Sequence, residues 1–442
     1  MRSPVLVVGA GPVGLTAALL LARAGVPSTV LEAAPEHVVR SSGSLCLQRD
    51  VLDVLERVGA GWEIADAGIA WYRGRTFFRG HEVLVTDFAE AGPDAFPPFV
   101  NVPQPVLEHL LERRARASPL VRLCFDRRVS ALWQDGRGVT VSTADGTVLR
   151  GSHCVAADGA RSTVRELLGL PFPGHSFSDR FLVADVRVRA GAARPERHFY
   201  FDPPSDPGGQ VLLHPQPDGV VRVDQRVPED FEPSGERVAA RVRDVVGDGP
   251  HEVLRASVRR FQQRRVPSMV EGGVLFAGDA AHVMSPFGAR NANSGICDAD
   301  NAAWKIALHR TGEAGPALLP SYDAERGAAA RENLRVTGDT MRFLVPETPQ
   351  QLAHRRDVLE RSVHDPAARA EIDSGTLSQP FAYRDSPLTT PGCAGEMLPG
   401  SRRFGPDFTV LPGEVLVRPD GHVAAAAPPD GLRAARRRAS GW

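Results

Sequence analysis

The first 32 residues constrain this chain more than any other part. Val5-Leu6-Val7-Val8 reads as a buried strand, and Gly9-Ala10-Gly11-Pro12-Val13-Gly14 fits G-x-G-x-x-G. Residues 12–24 follow as an apolar helix, and Ser28–Leu31 as a second strand ending at Glu32. Each piece has a physical task. Gly9 permits the tight turn, Gly11 lets the backbone approach a pyrophosphate, and Gly14 allows close helix–strand packing. Glu32 is spaced to accept a ribose 2′-hydroxyl, which selects a dinucleotide without a 2′-phosphate there, such as FAD or NAD. The glycines alone are a weak signal. Framed by strand, helix, strand and acid, they predict a Rossmann-like α/β layer.

Two later stretches repeat the scheme. Leu275-Phe276-Ala277-Gly278-Asp279 is an apolar strand entering a Gly-Asp turn, followed by Ser285-Pro286-Phe287-Gly288 and a helical pattern from about Asn293 through Ile296, Trp304 and Ile306. A carboxylate at the end of a buried strand can accept a cofactor hydroxyl, and the N–H groups opening the next helix can face negative charge on a reduced flavin. Cys154-Val155-Ala156-Ala157-Asp158-Gly159-Ala160-Arg161-Ser162 is again a strand, an Asp-Gly turn, and a helix that Ser162 can cap.

In this order and at these separations the three segments resemble the FAD-dependent aromatic hydroxylases, the group A flavoprotein monooxygenases of para-hydroxybenzoate hydroxylase-like fold, over about residues 1–345. Phe201-Asp202-Pro203-Pro204, Leu213-His214-Pro215-Gln216-Pro217-Asp218, residues 285–290 and Ser321-Tyr322-Asp323-Ala324-Glu325-Arg326 are similar to the 3-(3-hydroxyphenyl)propionate hydroxylase branch. The resemblance implies that Gly9, Gly11, Pro12, Val13, Gly14, Glu32 and Ala33 meet the ADP half of FAD. Gly278 and Asp279 would meet the ribityl chain or pyrophosphate, Gln104 the flavin's sugar chain, and Asp158 the region near the cofactor and the nicotinamide donor's route. Pro286 and Gly288 would sit against the ring where oxygen reacts, with Asn291, Ala292 and Asn293 opening the helix that faces it. Some positions depart from the pattern. Ala33 stands where Arg is usual, Asn291 and Cys297 replace Gly and Gln, and the nearest candidates for an expected basic residue are Arg40 and Arg49. Asn tolerates left-handed backbone, which would let the loop at Asn291 survive.

The activity implied is that of an NAD(P)H-dependent flavoprotein monooxygenase. NADPH or NADH would reduce FAD, O2 would add at flavin C4a, and the hydroperoxide would hydroxylate a phenolic or polyketide-like ring. The setting expected is bacterial natural-product (antibiotic) biosynthesis, with catabolism of a phenolic acid second. Pro286 and, on the substrate sheet, His214, Arg222 and Asp224 are the catalytic candidates; Tyr200, His214 and Gln225 are the substrate candidates. His214 could take a phenolic proton because imidazole titrates near neutrality. Arg222 and Asp224 stand two apart on one face, either as an ion pair or reaching the flavin. His282 reads as a capping or packing residue. A Baeyer–Villiger or epoxidising enzyme of the same fold, and a flavin-binding protein without turnover, remain open. A flavin halogenase does not fit: Lys305 is the sole lysine, it falls on the helix after the Gly-Asp turn, and W-x-W-x-I-P is missing.

The expected organisation is discontinuous. Residues 1–75, 100–170 and 265–340 form the FAD domain, with a β meander over 121–147. Residues 76–99 and 171–264 form a substrate domain of antiparallel strands at 181–189, 197–201, 210–214 and 220–226. Residues 341–442 hold a helical stretch at 349–371, a shortened thioredoxin-like remnant at 413–424, and a basic tail from 433 expected to be solvated and loose. The 442 residues exceed one ordinary domain, and 42% hydrophobic content supports sizeable cores. A net charge of −1 with scattered basic residues speaks against nucleic acid. Five dispersed cysteines lacking C-x-x-C spacing suggest neither disulfides nor a metal site and fit a reducing cytoplasm. No apolar run approaches the roughly 18 residues of a membrane span. The expected partners are a small aromatic substrate, NAD(P)H and O2, in a monomer or homodimer.

Overall fold

A computed structural model describes residues 3–36, 43–90, 92–188 and 194–442. Arg40 therefore lies outside the described residues. The wholly buried strands Val5–Val8, Ser28–Leu31 and Cys154–Ala156 join Val274–Phe276 and Val121–Cys124 in one parallel sheet, with Val270–Glu271 as an antiparallel edge. Continuous Val, Leu and Ile runs suit such strands because helices cover both faces. Val8 pairs with Leu31 on one side and Ala156 on the other, and Ala156 pairs with Phe276. Four strand ends are thus level, and parallel direction brings Gly9, Glu32, Asp158 and Asp279 out at one carboxyl edge, where open α/β sheets bind ligands.

The second layer is an eight-stranded sheet ordered His282–Val283, His251–Arg265, Gly174–Val188, Val220–Val227, Gln210–Pro215, Arg197–Phe201, Arg73–Phe78, His81–Asp87. Its strands alternate, as period-2 patterning requires. Leu182, Ala184, Val211 and Val223 pack under the helix Gly235–Val246, while Phe181, Phe199, Phe201 and Leu212 face Phe287 and the C-terminal helices. The sheet takes in Arg73–Phe78, so it begins slightly before the expected boundary after residue 75. The meander is Val129–Asp135, Gly138–Thr143 and Val148–Gly151; Val121–Cys124, expected within it, belongs to the parallel sheet. A small sheet of Ser44–Gln48, Phe99–Pro103 and Ile69–Trp71 bridges the two layers.

The C-terminal region is tied down rather than loose. Thr409–Leu411, Val415–Val417 and Val423–Ala426 form an antiparallel sheet, and the helix Pro429–Ala439 buries Ala435 and Ala439 against it. Trp442 donates its indole N–H to the Glu313 carbonyl at 3.0 Å, which corrects the expectation of a solvated tail. The basic side chains keep one helix face wet while the alanines supply the packing face. Arg418 is completely buried and reaches Glu325 and Asp420; Glu325 also accepts from Lys305 at 2.7 Å and Asn301 at 2.8 Å. This ionic cluster fastens the C-terminal region to the helix Arg290–Thr311. No helix among the described residues is long and apolar enough to cross a membrane.

Candidate functional site

A cleft of about 870 Å³ runs along the carboxyl edge of the parallel sheet. Gly9, Gly11, Pro12, Val13, Glu32, Ala33, Gln104, Asp158, Asp279, Asn291 and Ala292 all line it. The three fingerprint glycines differ in what they do. Gly9 has φ +104, and a Cβ there would stand 2.4 Å from the Ala157 carbonyl oxygen. At Gly14 a Cβ would meet the Gly9 oxygen at 2.0 Å. At Gly11 nothing lies within 4 Å, so only this glycine opens its backbone to a ligand. Gly11 also begins the helix Pro12–Arg23 with no side-chain cap, so no cap competes with a ligand for the first N–H groups.

Glu32 closes the second strand by accepting the Ala10 and Ala34 N–H groups at 3.0 and 2.9 Å, which fixes its carboxylate over the cleft. Asp158 is partly a local device: it accepts the Ser162 hydroxyl at 2.6 Å and the Val164 N–H at 3.0 Å, holding the Asp-Gly turn onto the helix Thr163–Leu167. Burial pushes its carboxyl above the ordinary range. Gln104 donates to Glu108 at 2.8 Å.

The Gly-Asp turn is held from below. Asp298 accepts Gly278 N–H at 3.0 Å, His282 Nε2 at 2.8 Å and Arg326 Nε at 2.6 Å, all deeply buried. Burial alone would raise the Asp298 carboxyl, but Arg326 and His282 outweigh it and hold it below its usual value. His282 is thus a packing residue at the foot of the turn. Above it, Asp279 Oδ1 accepts Asn291 Nδ2 at 2.6 Å, whereas Oδ2 makes no hydrogen bond to any described residue. Burial raises this carboxyl too. The left-handed positions of the loop are Gly288 at φ +93 and Ala289 at φ +55; Asn291 already lies within the helix. The expectation that Asn291 takes a left-handed conformation is therefore corrected.

A second cavity of about 240 Å³ lies under the eight-stranded sheet, and Leu45, Gln104, Asn291 and Ala292 line both it and the cleft. His214, Arg222, Asp224 and Pro286 line this chamber. Arg222 Nε and Asp224 Oδ1 are 3.0 Å apart, an ion pair on one strand face. His214 makes no hydrogen bond to a described residue, and its Nδ1 is buried and unsatisfied. Burial, then Arg197 and Arg222, drives its pKa well below the ordinary histidine value. It is a neutral imidazole, not the near-neutral base the sequence suggested.

Two sheet residues are not brought to the chamber. Asp224 pairs with Leu212 and Val183 on the inner face, so its neighbour Gln225 points outward and donates to Asp206 at 3.0 Å. Tyr200 likewise faces outward, stacked on Phe77 with centroids 4.8 Å apart. Their assignment to the substrate is corrected by the pleat itself. Several other assigned residues support the site from outside it. Gly278 packs on Val13, and Gly288 packs on the Thr376 carbonyl, which a Cβ would meet at 2.4 Å. Asn293 clamps the Ser44–Gln48 strand through Gln48 N–H at 3.1 Å and the Cys46 carbonyl at 2.8 Å. Sequence reasoning missed Asn101, Gln216 and Arg259 on the chamber wall. Gln216 continues the His214 alternation, a signal hidden by the intervening Pro215.

The cleft fits a dinucleotide in size, in its open Gly11 backbone and in its free Asp279 oxygen. Residues 2–337 match the family described as FAD binding domain. The 3-(3-hydroxyphenyl)propionate/3-hydroxycinnamic acid hydroxylase of Paraburkholderia xenovorans (strain LB400) is 33% identical over 76% of this chain, which spans 55% of that protein. The dialkyldecalin synthase of Streptomyces rugosporus is 32% identical over 98% of both chains. Among solved structures, the flavin-dependent monooxygenase PieE with FAD and substrate superposes at a TM-score of 0.82, with 22% identity over 99% of this chain and 98% of that one. Fold, cleft and family model together define a protein of the FAD-binding class. Within that class, the chain belongs to the family described as FAD binding domain, whose model spans residues 2–337.

Proposed function

We propose that this protein is a monooxygenase that uses NAD(P)H and O2 to hydroxylate an aromatic, phenolic or polyketide-like substrate on bound FAD. The carrying observation is the continuity of cleft and chamber through Leu45, Gln104, Asn291 and Ala292. Glu32 and the Gly11 backbone would hold the adenosine half, Asp279 and Gln104 the sugar chain, and Pro286 and Ala292 would border the ring. Reduced flavin supplies the oxygen activation. The protein's own part is positioning, dryness and charge. Leu212, Met284 and Phe287 give the chamber an apolar, buried wall that excludes water. The Arg222 cation favours the ionised form of a nearby phenol. His214, kept neutral, offers one donor and one acceptor to the substrate without adding charge.

NAD(P)H oxidation by the FAD-loaded protein, with and without a panel of phenols and product mass spectrometry, tests the proposal. Stimulated oxidation and a product heavier by one oxygen are expected. Flavin binding without any nicotinamide consumption would refute turnover.

The full-length match to the dialkyldecalin synthase favours one second reading, a flavin-holding cyclase with no net oxidation. A product of unchanged mass, formed without NAD(P)H, would select it.

A further inference from the structure

Glu325 and Arg326 are neighbours in a π-helical turn, Asp323–Gly327, and both are buried, at 2% and 3% exposure. Wide turns of this kind are frequent at functional sites. Glu325 faces Lys305 and Arg418 in the ionic cluster. Arg326 serves the cofactor cleft instead. Its Nε donates to Asp298, which holds the Gly278 N–H, and its Nη2 donates to the Ser294 carbonyl at 3.1 Å and hydroxyl at 3.0 Å. One guanidinium thus ties the Gly-Asp turn to the opening turns of the helix Arg290–Thr311, the two elements assigned to the flavin half of the site.

The remaining nitrogen of that fork is seated by a residue far along the chain. Arg326 Nη1 donates to the Tyr383 hydroxyl at 3.0 Å, and Asn301 Nδ2 approaches the same oxygen at 3.5 Å. Tyr383 is itself buried and held on three sides. Its N–H donates to the Gly395 carbonyl at 2.8 Å, its ring packs on His422 with centroids 4.1 Å apart, and the Arg418 guanidinium lies 4.9 Å from the ring centre. Burial raises the phenol's pKa, so it meets the cation as a neutral acceptor. Removing the hydroxyl would leave a buried, charged N–H unpaired, costly enough that the fork would move to find an acceptor and pull on Asp298 and Ser294.

Resting on the reading of the cleft as an FAD site, we infer that Tyr383 is a positioning residue for the flavin half of the cofactor, acting through Arg326 and Asp298 on the Gly278-Asp279 turn. The C-terminal region is therefore a working part of the site and not only a cover for it. Gly11 and Glu32, assigned to the ADP half, are positioned by the strands Val5–Val8 and Ser28–Leu31 instead. The two halves of the dinucleotide should respond differently to the loss of Tyr383.

Tyr383→Phe in the full chain tests this, with FAD titrated by its fluorescence and ADP by its competition with FAD. The FAD dissociation constant is expected to rise about three- to tenfold and the ADP constant to stay within about twofold. A merely structural role would weaken both probes alike. Equal losses therefore overturn the inference, as does an FAD affinity unchanged within about twofold. Should the variant not fold, hydrogen exchange in the wild type decides. Coupling is reciprocal, so FAD but not ADP must slow amide exchange in residues 380–386; equal protection by both, or none by FAD, overturns the inference. A wild type that takes up no FAD defeats the flavoenzyme reading and the inference with it, whereas FAD uptake indifferent to Tyr383 defeats only the inference.

Discussion

Replacing Asp279 by alanine separates what this carboxylate does for the fold from what it does for the cofactor. In the protein alone, Asp279 accepts one hydrogen bond, from Asn291 Nδ2 at 2.6 Å. Losing it strands a half-buried amide, at no more than about 1–3 kcal/mol. Against that, the carboxyl is itself raised by burial, so its removal relieves an unfavourable desolvation and offsets part of the cost. Stability should therefore fall by no more than about 2 kcal/mol, visible as a small shift in a urea midpoint. The cofactor suffers more. The free Oδ2 would accept one charge-assisted hydrogen bond from the sugar chain, worth about 1.5–3 kcal/mol, or about ten- to hundredfold in affinity. Asp279→Ala should thus purify colourless, fold cooperatively, and need at least tenfold more FAD in a titration. Asn291→Ala, which keeps the carboxylate, should stay yellow. If Asp279→Ala binds FAD within twofold of the wild type, the assignment of Asp279 to the sugar chain is wrong.

Three further outcomes follow from buried groups and one glycine. Glu325→Gln leaves Arg418 and Lys305 facing a neutral amide in a fully buried cluster; a loss of about 3–5 kcal/mol is expected, with faster proteolysis within residues 374–442, and an unchanged urea midpoint would contradict it. Burial, opposed by the hydrogen bond from Gln48, pushes the Asp50 carboxyl up to about 6. A folded pKa above the unfolded value stabilises below the unfolded pKa, and that stabilisation is lost as pH rises through about 6. Asp50→Asn should accordingly gain up to about 3 kcal/mol over wild type at pH 7.5 and almost nothing at pH 4; a gain independent of pH would refute the sign. Gly288→Ala forces a Cβ to within 2.4 Å of the Thr376 carbonyl at φ +93, so a loss of about 1–3 kcal/mol is expected together with altered oxidation of NAD(P)H, and a neutral stability change would show that the strap over the loop yields easily.

How much was legible beforehand depended on the range of the cause. Gly9, Gly11, Glu32, Asp158 and Asp279 each follow a short apolar strand, and parallel strands deliver their ends to one edge, so local pattern sufficed to gather them. Where the pattern was local but interrupted, it failed: Pro215 hid the alternation that carries Gln216 to the chamber. Tyr200 and Gln225 were misassigned although period 2 already separates Asp224 from Gln225.

By itself the sequence determined a Rossmann-like layer, a dinucleotide cleft and an alternating sheet, because helix period, strand period and turn glycines are properties of neighbours along the chain. Only the tertiary structure decided that His214 stays neutral, since its burial and the cations Arg197 and Arg222 come from different strands. It alone decided that Gly288 answers to Thr376, and that Arg418 completes an ionic cluster with Glu325 and Lys305. Desolvation and charge pairing depend on what is near in space, and no spacing along a chain encodes that distance.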